Sequence, residues 1–221
     1  MTLLAAFNFD EASGNVLDVT GNGHDWALNT GAQRTASGHT LGGLQKVSAG
    51  FATIAATPFG QTTNRTFMFW NQGLGNAVWW LRWYATTPDT GTWGIYNLSG
   101  NINLRVRKGG ANTNITTPTP GDGLWHHYAG TYDGTNSRLY LDGTLVATSG
   151  TVAAPLDTAD SIDCLETSLA TQTMDDLRIY DEVLTQSQIA ALMATPVAAG
   201  PVFLAGPPKI IGQAVNRAAT Y

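Results

Sequence analysis

Carboxylates, imidazoles and thiols are the side chains that carry most enzymatic chemistry. In this chain of 221 residues they are few and badly spaced for it. Glutamate occurs only as Glu11, Glu166 and Glu182. Hydrolysis of a glycosidic bond needs two carboxyl groups held roughly 5–10 Å apart. Asp160 and Asp163 are near in sequence, but on a strand that spacing puts them on opposite faces. The histidines are His24, His39, His126 and His127. Adjacent His126 and His127 also point to opposite faces of a strand, so they cannot share a metal ion. Neither Gly-x-Ser-x-Gly nor His-Glu-x-x-His is spelled, which leaves a serine triad and a zinc hydrolase site without support. Cys164 is the single cysteine, so no internal disulfide forms and no redox compartment is indicated. The expectation is a protein without catalytic activity.

Binding chemistry is better represented. Residues 77–84 read Ala-Val-Trp-Trp-Leu-Arg-Trp-Tyr. Strict alternation places Trp79, Leu81 and Trp83 on one face and Trp80, Arg82 and Tyr84 on the other. One face must fill a core, where each large aromatic buries about 150–250 Å². The other would present Trp80, Arg82 and Tyr84 outward. Such a face can stack on a sugar ring, form the centre of a protein interface, where Trp, Tyr and Arg are enriched, or lie under loops as further core.

The elements that must position these residues are strands. Period-two alternation recurs along the chain, broken by turn residues. Strands are expected at residues 3–9, 65–71, 77–84, 92–97, 102–107, 125–132, 137–141, 144–148, 161–165 and 174–180. Asp142-Gly143 is the strongest hairpin signal. One helix is expected after Thr185, where Thr185 and Gln188 form a capping box and Leu184 and Ile189 a hydrophobic staple. Pro196 bars its continuation. Residues 1–196 thus read as one sandwich domain. Residues 197–221 read as an extended, apolar arm holding Val202, Phe203, Leu204, Ile210 and Ile211, folded back on its own domain or docked on another subunit.

Composition narrows the partners. Charged residues are 12% of the chain, about half the usual share, so the surface is covered largely by Thr, Asn, Ser, Gly and Gln. A net charge of -5 argues against nucleic acid, which needs clustered Lys and Arg. Arg105, Arg107 and Lys108 are the one basic run, read as a solvated edge strand. No apolar run approaches the ~20 residues that span a bilayer, and the opening Met-Thr-Leu-Leu-Ala-Ala-Phe has no basic start of an export signal.

Several segments, in order, resemble the laminin-G-like, concanavalin A-like jelly rolls of extracellular and bacteriophage proteins. They are Phe9-Asp10-Glu11-Ala12-Ser13-Gly14, Trp125-His126-His127-Tyr128-Ala129-Gly130-Thr131-Tyr132-Asp133-Gly134, Arg138-Leu139-Tyr140-Leu141-Asp142-Gly143 and Asp175-Asp176-Leu177-Arg178-Ile179-Tyr180. The resemblance covers roughly residues 3–195. It departs at Ser161–Leu165, where the family often carries a glycine, and after Pro196. It implies an all-β, two-sheet antiparallel jelly-roll sandwich with one short C-terminal helix and an extended tail. It also implies one structural Ca²⁺ between the first and last strands, with Asp10 and Asp175 as ligands. Calcium takes six to eight oxygens, so loop carbonyls and water would complete the shell; the alternative is that Asp175 accepts backbone N–H groups. The Glu-x-Asp-x-Glu of related glucanases is missing.

The leading expectation is a non-catalytic structural protein on a virion surface, most plausibly a bacteriophage capsid decoration or tail-associated protein. It would dock through the 197–221 arm on neighbouring virion subunits and form homo-oligomers. The alternative is an extracellular carbohydrate-binding adhesion module that recognises a host or matrix polysaccharide.

Overall fold

The computed structural model describes residues 2–28, 31–47, 52–54, 64–73, 78–84, 91–108, 111–152, 161–166 and 172–198. In chain order the strands begin β1 (Leu3–Phe7), β2 (Ala32–Thr35), β3 (Gly43–Lys46), β4 (Ala52–Ile54), β5 (Asn64–Gln72), β6 (Val78–Tyr84) and β7 (Gly91–Leu98). They continue β8 (Asn101–Lys108), β9 (Ala111–Pro118), β10 (Trp125–Asp133), β11 (Ser137–Leu141), β12 (Thr144–Thr148), β13 (Ser161–Glu166) and β14 (Thr173–Tyr180), before helix α1 (Gln186–Met193). One sheet of eight strands runs β12-β11-β10-β5-β14-β3-β2, with β1 also paired to β14. The second sheet runs β4-β13-β6-β7-β8-β9. Every strand pair is antiparallel, so the two-layer jelly-roll sandwich expected from the sequence is the fold.

Alternation supplies the core between the layers. Phe67 and Phe69 of β5, Trp93 and Ile95 of β7, and Ile102, Leu104 and Val106 of β8 are all buried. Rings join the two sheets directly: Phe67 meets Trp93 edge-on at 4.4 Å, and Trp80 packs on Tyr128 at 4.6 Å. Aromatic pairs of this kind contribute about 0.5–1.5 kcal/mol beyond the area they bury. A smaller cluster of Met68, Ala129, Tyr140, Tyr180, Leu184 and Ile189 lies on the outer side of the eight-stranded sheet, under α1. The central strands of that sheet are thereby buried on both faces, which explains why β14 is buried at every position.

Local signals hold where backbone chemistry is specific. Asp142 and Gly143 both take positive φ (48° and 74°), as a two-residue hairpin turn requires. Thr185 caps α1: its Oγ1 accepts the Gln188 amide at 3.3 Å, and the Gln188 side chain accepts the Thr185 amide at 2.8 Å. Two expectations are corrected. Strand β8, with Arg105 and Arg107, lies between β7 and β9 rather than at an edge. The edge is β9, Ala-Asn-Thr-Asn-Ile-Thr-Thr-Pro, whose one buried side chain, Ile115, gives too weak an alternation to mark a strand. Strands β2, β3 and β4, three or four residues each, were also not legible.

Candidate functional site

Strand β6 carries the candidate site, and a bulge decides which of its tryptophans reaches the surface. Pairing with β7 slips by one residue between Trp79 and Leu81. Trp80 is the extra residue, so Trp80 and Leu81 both turn inward, whereas Trp79 and Arg82 turn outward. Exposure agrees: Trp80 and Trp83 are each 1% exposed and Leu81 is fully buried, while Trp79 and Arg82 are half-buried. Strict alternation had put Trp80 on the outer face with Arg82 and Tyr84. For Trp80 that expectation is corrected, and Trp79 takes its place. Arg82 is on the outer face, and the Tyr84 side chain lies outside the described residues.

Register then builds the outer face of the six-stranded sheet in rows across the strands. One row is Glu166, Trp79, Tyr96, Asn103 and Thr116; the next is Asp163, Arg82, Gly94, Arg105 and Asn114. The Trp79 and Tyr96 rings lie 4.8 Å apart, tilted by 44°. The Arg105 guanidinium sits over both, 4.5 Å from the Tyr96 ring and 5.5 Å from Trp79. Arg105 also donates to the Tyr96 hydroxyl at 2.7 Å and to Asn114 Oδ1 at 3.0 Å. Arg82 lies 5.8 Å from the other side of this cluster, at the Trp79 ring. The Thr116 hydroxyl donates to Asn103 Oδ1 at 2.9 Å. Gly94 leaves the floor between the two arginines bare. A Cβ there would fall 2.2 Å from the Leu81 carbonyl oxygen, so no side chain fits.

Such a surface offers groups suited to binding. Aromatic faces stack on flat apolar patches of a ligand, and guanidinium forks, amides and hydroxyls hydrogen-bond its polar edge. Strands β6, β7, β8 and β9 contain no Asp or Glu; the neighbouring β13 brings Asp163 into register with Arg82 and Glu166 with Trp79. The aromatic and arginine content of β6 was legible in the sequence. The contributions of Tyr96, Arg105 and Asn114 were not, because they depend on register.

The two calcium candidates converge on the same loop, residues 36–42. Asp10 Oδ1 accepts the Gly42 amide at 2.7 Å. Asp175 Oδ2 accepts the Thr40 amide at 3.1 Å, and its Oδ1 accepts the Asp176 amide at 2.7 Å. Burial and the neighbouring Asp176 push the Asp175 carboxyl up to about 7, against the pull of these amides. Asp176 in turn accepts the Val197 amide at 2.8 Å, which holds the residues after α1 onto the domain. This donor set does not fit Ca²⁺. Both carboxylates are committed to backbone amides, and among the described residues no group of three His, Cys, Asp or Glu side chains gathers around a cation position.

The histidines separate as adjacent strand residues must. His127 is fully buried beside Trp70, and burial, with Arg178 and His39 nearby, lowers its pKa to about 3. His126 is half-exposed between two carboxylates, with Asp142 Oδ2 2.8 Å from Nδ1 and Asp122 Oδ1 3.1 Å from Nε2. Partial burial opposes its protonation, but the hydrogen bonds its ring N–H groups donate to Asp142 and Asp122 prevail and raise its pKa. No nucleophile completes this trio among its hydrogen-bond partners, and it ties the loop before β10 to the β11–β12 turn. The arm residues Val202, Phe203, Leu204, Ile210 and Ile211 lie outside the described residues. Among the described residues, no helix is long and apolar enough to cross a membrane.

Comparison with known proteins agrees with this fold. Residues 46–190 match a laminin-G family model described as the concanavalin A-like lectin/glucanases superfamily. No curated protein matches the sequence. Among solved structures, the binding domain of Paraclostridial Mosquitocidal Protein 1 is 18% identical with a TM-score of 0.71, over 86% of this chain and 51% of that one. The binding domain of botulinum neurotoxin DC, in complex with SialylT, is 13% identical with a TM-score of 0.61, over 86% of this chain and 50% of its own. The chain therefore spans about half the length of the toxin binding domains it matches. Domain 4 of AbnA, a GH43 extracellular arabinanase from Geobacillus stearothermophilus, in complex with arabinotriose, is 18% identical with a TM-score of 0.69. That match covers 86% of this chain and 98% of the arabinanase domain.

Proposed function

The chain belongs to the concanavalin A-like lectin/glucanases superfamily, and from that premise we propose that it is a non-catalytic carbohydrate-binding module. The observation that carries this reading is the Trp79–Tyr96–Arg105 cluster on the outer face of the six-stranded sheet. Trp79 and Tyr96 supply ring faces for the C–H side of a sugar. Arg82, Arg105, Asn114 and Thr116 supply donors and acceptors for its hydroxyls. The same-sized arabinanase domain with its arabinotriose, and the toxin binding domain with SialylT, support a glycan ligand over attachment to virion subunits. Nothing in the comparisons supports the virion role expected first from the sequence.

Affinity electrophoresis through gels containing soluble polysaccharides, arabinan among them, tests the proposal. The protein is expected to be retarded by at least one polymer with micromolar to millimolar affinity, and Trp79→Ala to run freely while still folded. Free migration of the parent protein through every polymer would overturn the reading.

A further inference from the structure

We infer that the ligand of this face is an anionic polysaccharide, one bearing carboxylate or sulfate groups, with Arg105 as the anchor of the anionic group. The inference rests on the carbohydrate-binding reading and narrows it.

Charge is segregated along the chain. Strands β6 to β9 hold four of its eleven basic residues, Arg82, Arg105, Arg107 and Lys108, and none of its sixteen acidic ones. The acidic residues of the same sheet, Asp163 and Glu166, stand on β13 in register with Arg82 and Trp79, three strands from Arg105; the positive excess is therefore concentrated on β8, where it favours an anion. Arg105 is the residue whose surroundings make this specific. Arg34 pairs with Glu11 and Arg138 with Asp133, both partly buried ion pairs. Arg105 is held by neutral groups alone: the Asn114 amide oxygen, the Tyr96 hydroxyl and two aromatic faces. These contacts fix the plane of the guanidinium without neutralising it, and a guanidinium fork matches a carboxylate or sulfate.

Register adds a place for the ligand. Arg82 and Arg105 stand two strands apart in one row, on the order of 10 Å between backbones, with Gly94 between them. Because no side chain fits at Gly94, the gap is floored by backbone alone. A sugar ring on Trp79 and Tyr96 would put its anionic substituent over that floor, beside Arg105.

The test compares polymers that differ only in charge. Polygalacturonate and its methyl ester form one pair; a sulfated galactan and its desulfated form make the other, and the two pairs separate carboxylate from sulfate. The parent protein is expected to bind at least one anionic member about tenfold tighter than its neutral partner, because a charge-assisted hydrogen bond is at stake. That preference should weaken steeply between about 0.05 and 0.5 M NaCl as screening grows. Arg105→Gln, which keeps an amide for Asn114 and Tyr96, should erase the preference, so that the charged and neutral members of each pair bind it equally and without dependence on salt. If Arg105→Gln does not fold, the salt titration of the parent protein decides. Equal affinity for charged and neutral members, insensitive to salt, would sink the anionic class while leaving the carbohydrate reading intact. Retention of single-stranded DNA as strong as that of the anionic polymers would show unspecific anion capture and sink it as well. Binding to none of the four polymers nor to any other glycan would sink both.

Discussion

Two neighbouring tryptophans offer a sharp test of the structure, because the bulge in β6 gives them opposite roles. Trp80 is 1% exposed and packs on Tyr128 across the sandwich. Burial of about 150–250 Å² at ~25 cal/mol per Å² sets an upper scale of ~4–6 kcal/mol, and buried Trp→Ala changes typically cost about 3–5 kcal/mol. Trp79 is half-buried, and its contacts are one tilted ring pair with Tyr96 and the nearby guanidiniums. Those are worth together about 1–2 kcal/mol. Urea unfolding followed by far-ultraviolet circular dichroism should therefore place Trp80→Ala at least about 2 kcal/mol below Trp79→Ala. Circular dichroism is preferred because each substitution removes a fluorophore. Glycan binding should show the reverse order: abolished in Trp79→Ala, and retained by Trp80→Ala under conditions where it is folded. Had β6 alternated without a bulge, both orders would invert. Equal destabilisation by the two substitutions, or a Trp80→Ala variant as stable as the parent, would refute the register on which the site is built.

Three other outcomes follow from the charged groups. His126 has a raised pKa, so its clamp stabilises the fold fully below the ordinary histidine pKa of about 6.5 and loses this as pH rises through the higher folded value. The melting temperature of the parent should fall relative to His126→Gln between about pH 6 and 8, and parallel curves would dismiss the clamp. Asp175 has the opposite logic from a paired carboxylate: with its pKa pushed up to about 7, the folded state holds a proton that the unfolded chain releases near pH 4. Stability should thus decline from about pH 4 to 7, and Asp175→Asn should flatten that slope in urea midpoints; an unchanged slope refutes it. Because Asp10 and Asp175 already accept backbone amides, EDTA should leave the melting temperature where it was. A midpoint that rises on adding Ca²⁺ would restore the cation to that loop.

The sequence made the layers legible because burial imposes period two. Phe67 and Phe69 on β5, or Ile102, Leu104 and Val106 on β8, mark a core face with no knowledge of their partners. Turn and cap chemistry at Asp142-Gly143 and Thr185 was equally local, hence equally readable. The site was legible only by strand. Arg105 was read as an edge residue because edge or centre depends on whether β9 pairs beside it, and β9 is nearly all polar. Trp80 was assigned outward because a bulge is a property of a pair of strands, absent from the pattern of one. The amide that Asp175 accepts was hidden for a related reason: its donor, Thr40, is 135 residues away.

The same bulge links the fold to the proposed activity. A regular β6 would send Trp79, Leu81 and Trp83 into the core and leave Trp80 outside with Arg82 and Tyr84. By spending one extra residue, the strand keeps Trp80, Leu81 and Trp83 inside and still delivers Trp79 outward opposite Tyr96. The one-residue shift also sets Arg82 against Gly94, where the two backbones approach so closely that a Cβ would meet the Leu81 carbonyl. A ring pair and a bare floor between two arginines therefore arise from one irregularity. Gly94→Ala would force these backbones apart at an overpacking cost of about 1–3 kcal/mol. Because the register that seats Trp79 on Tyr96 is the register that Gly94 permits, stability and binding should fall together in that variant, unlike in Arg105→Gln.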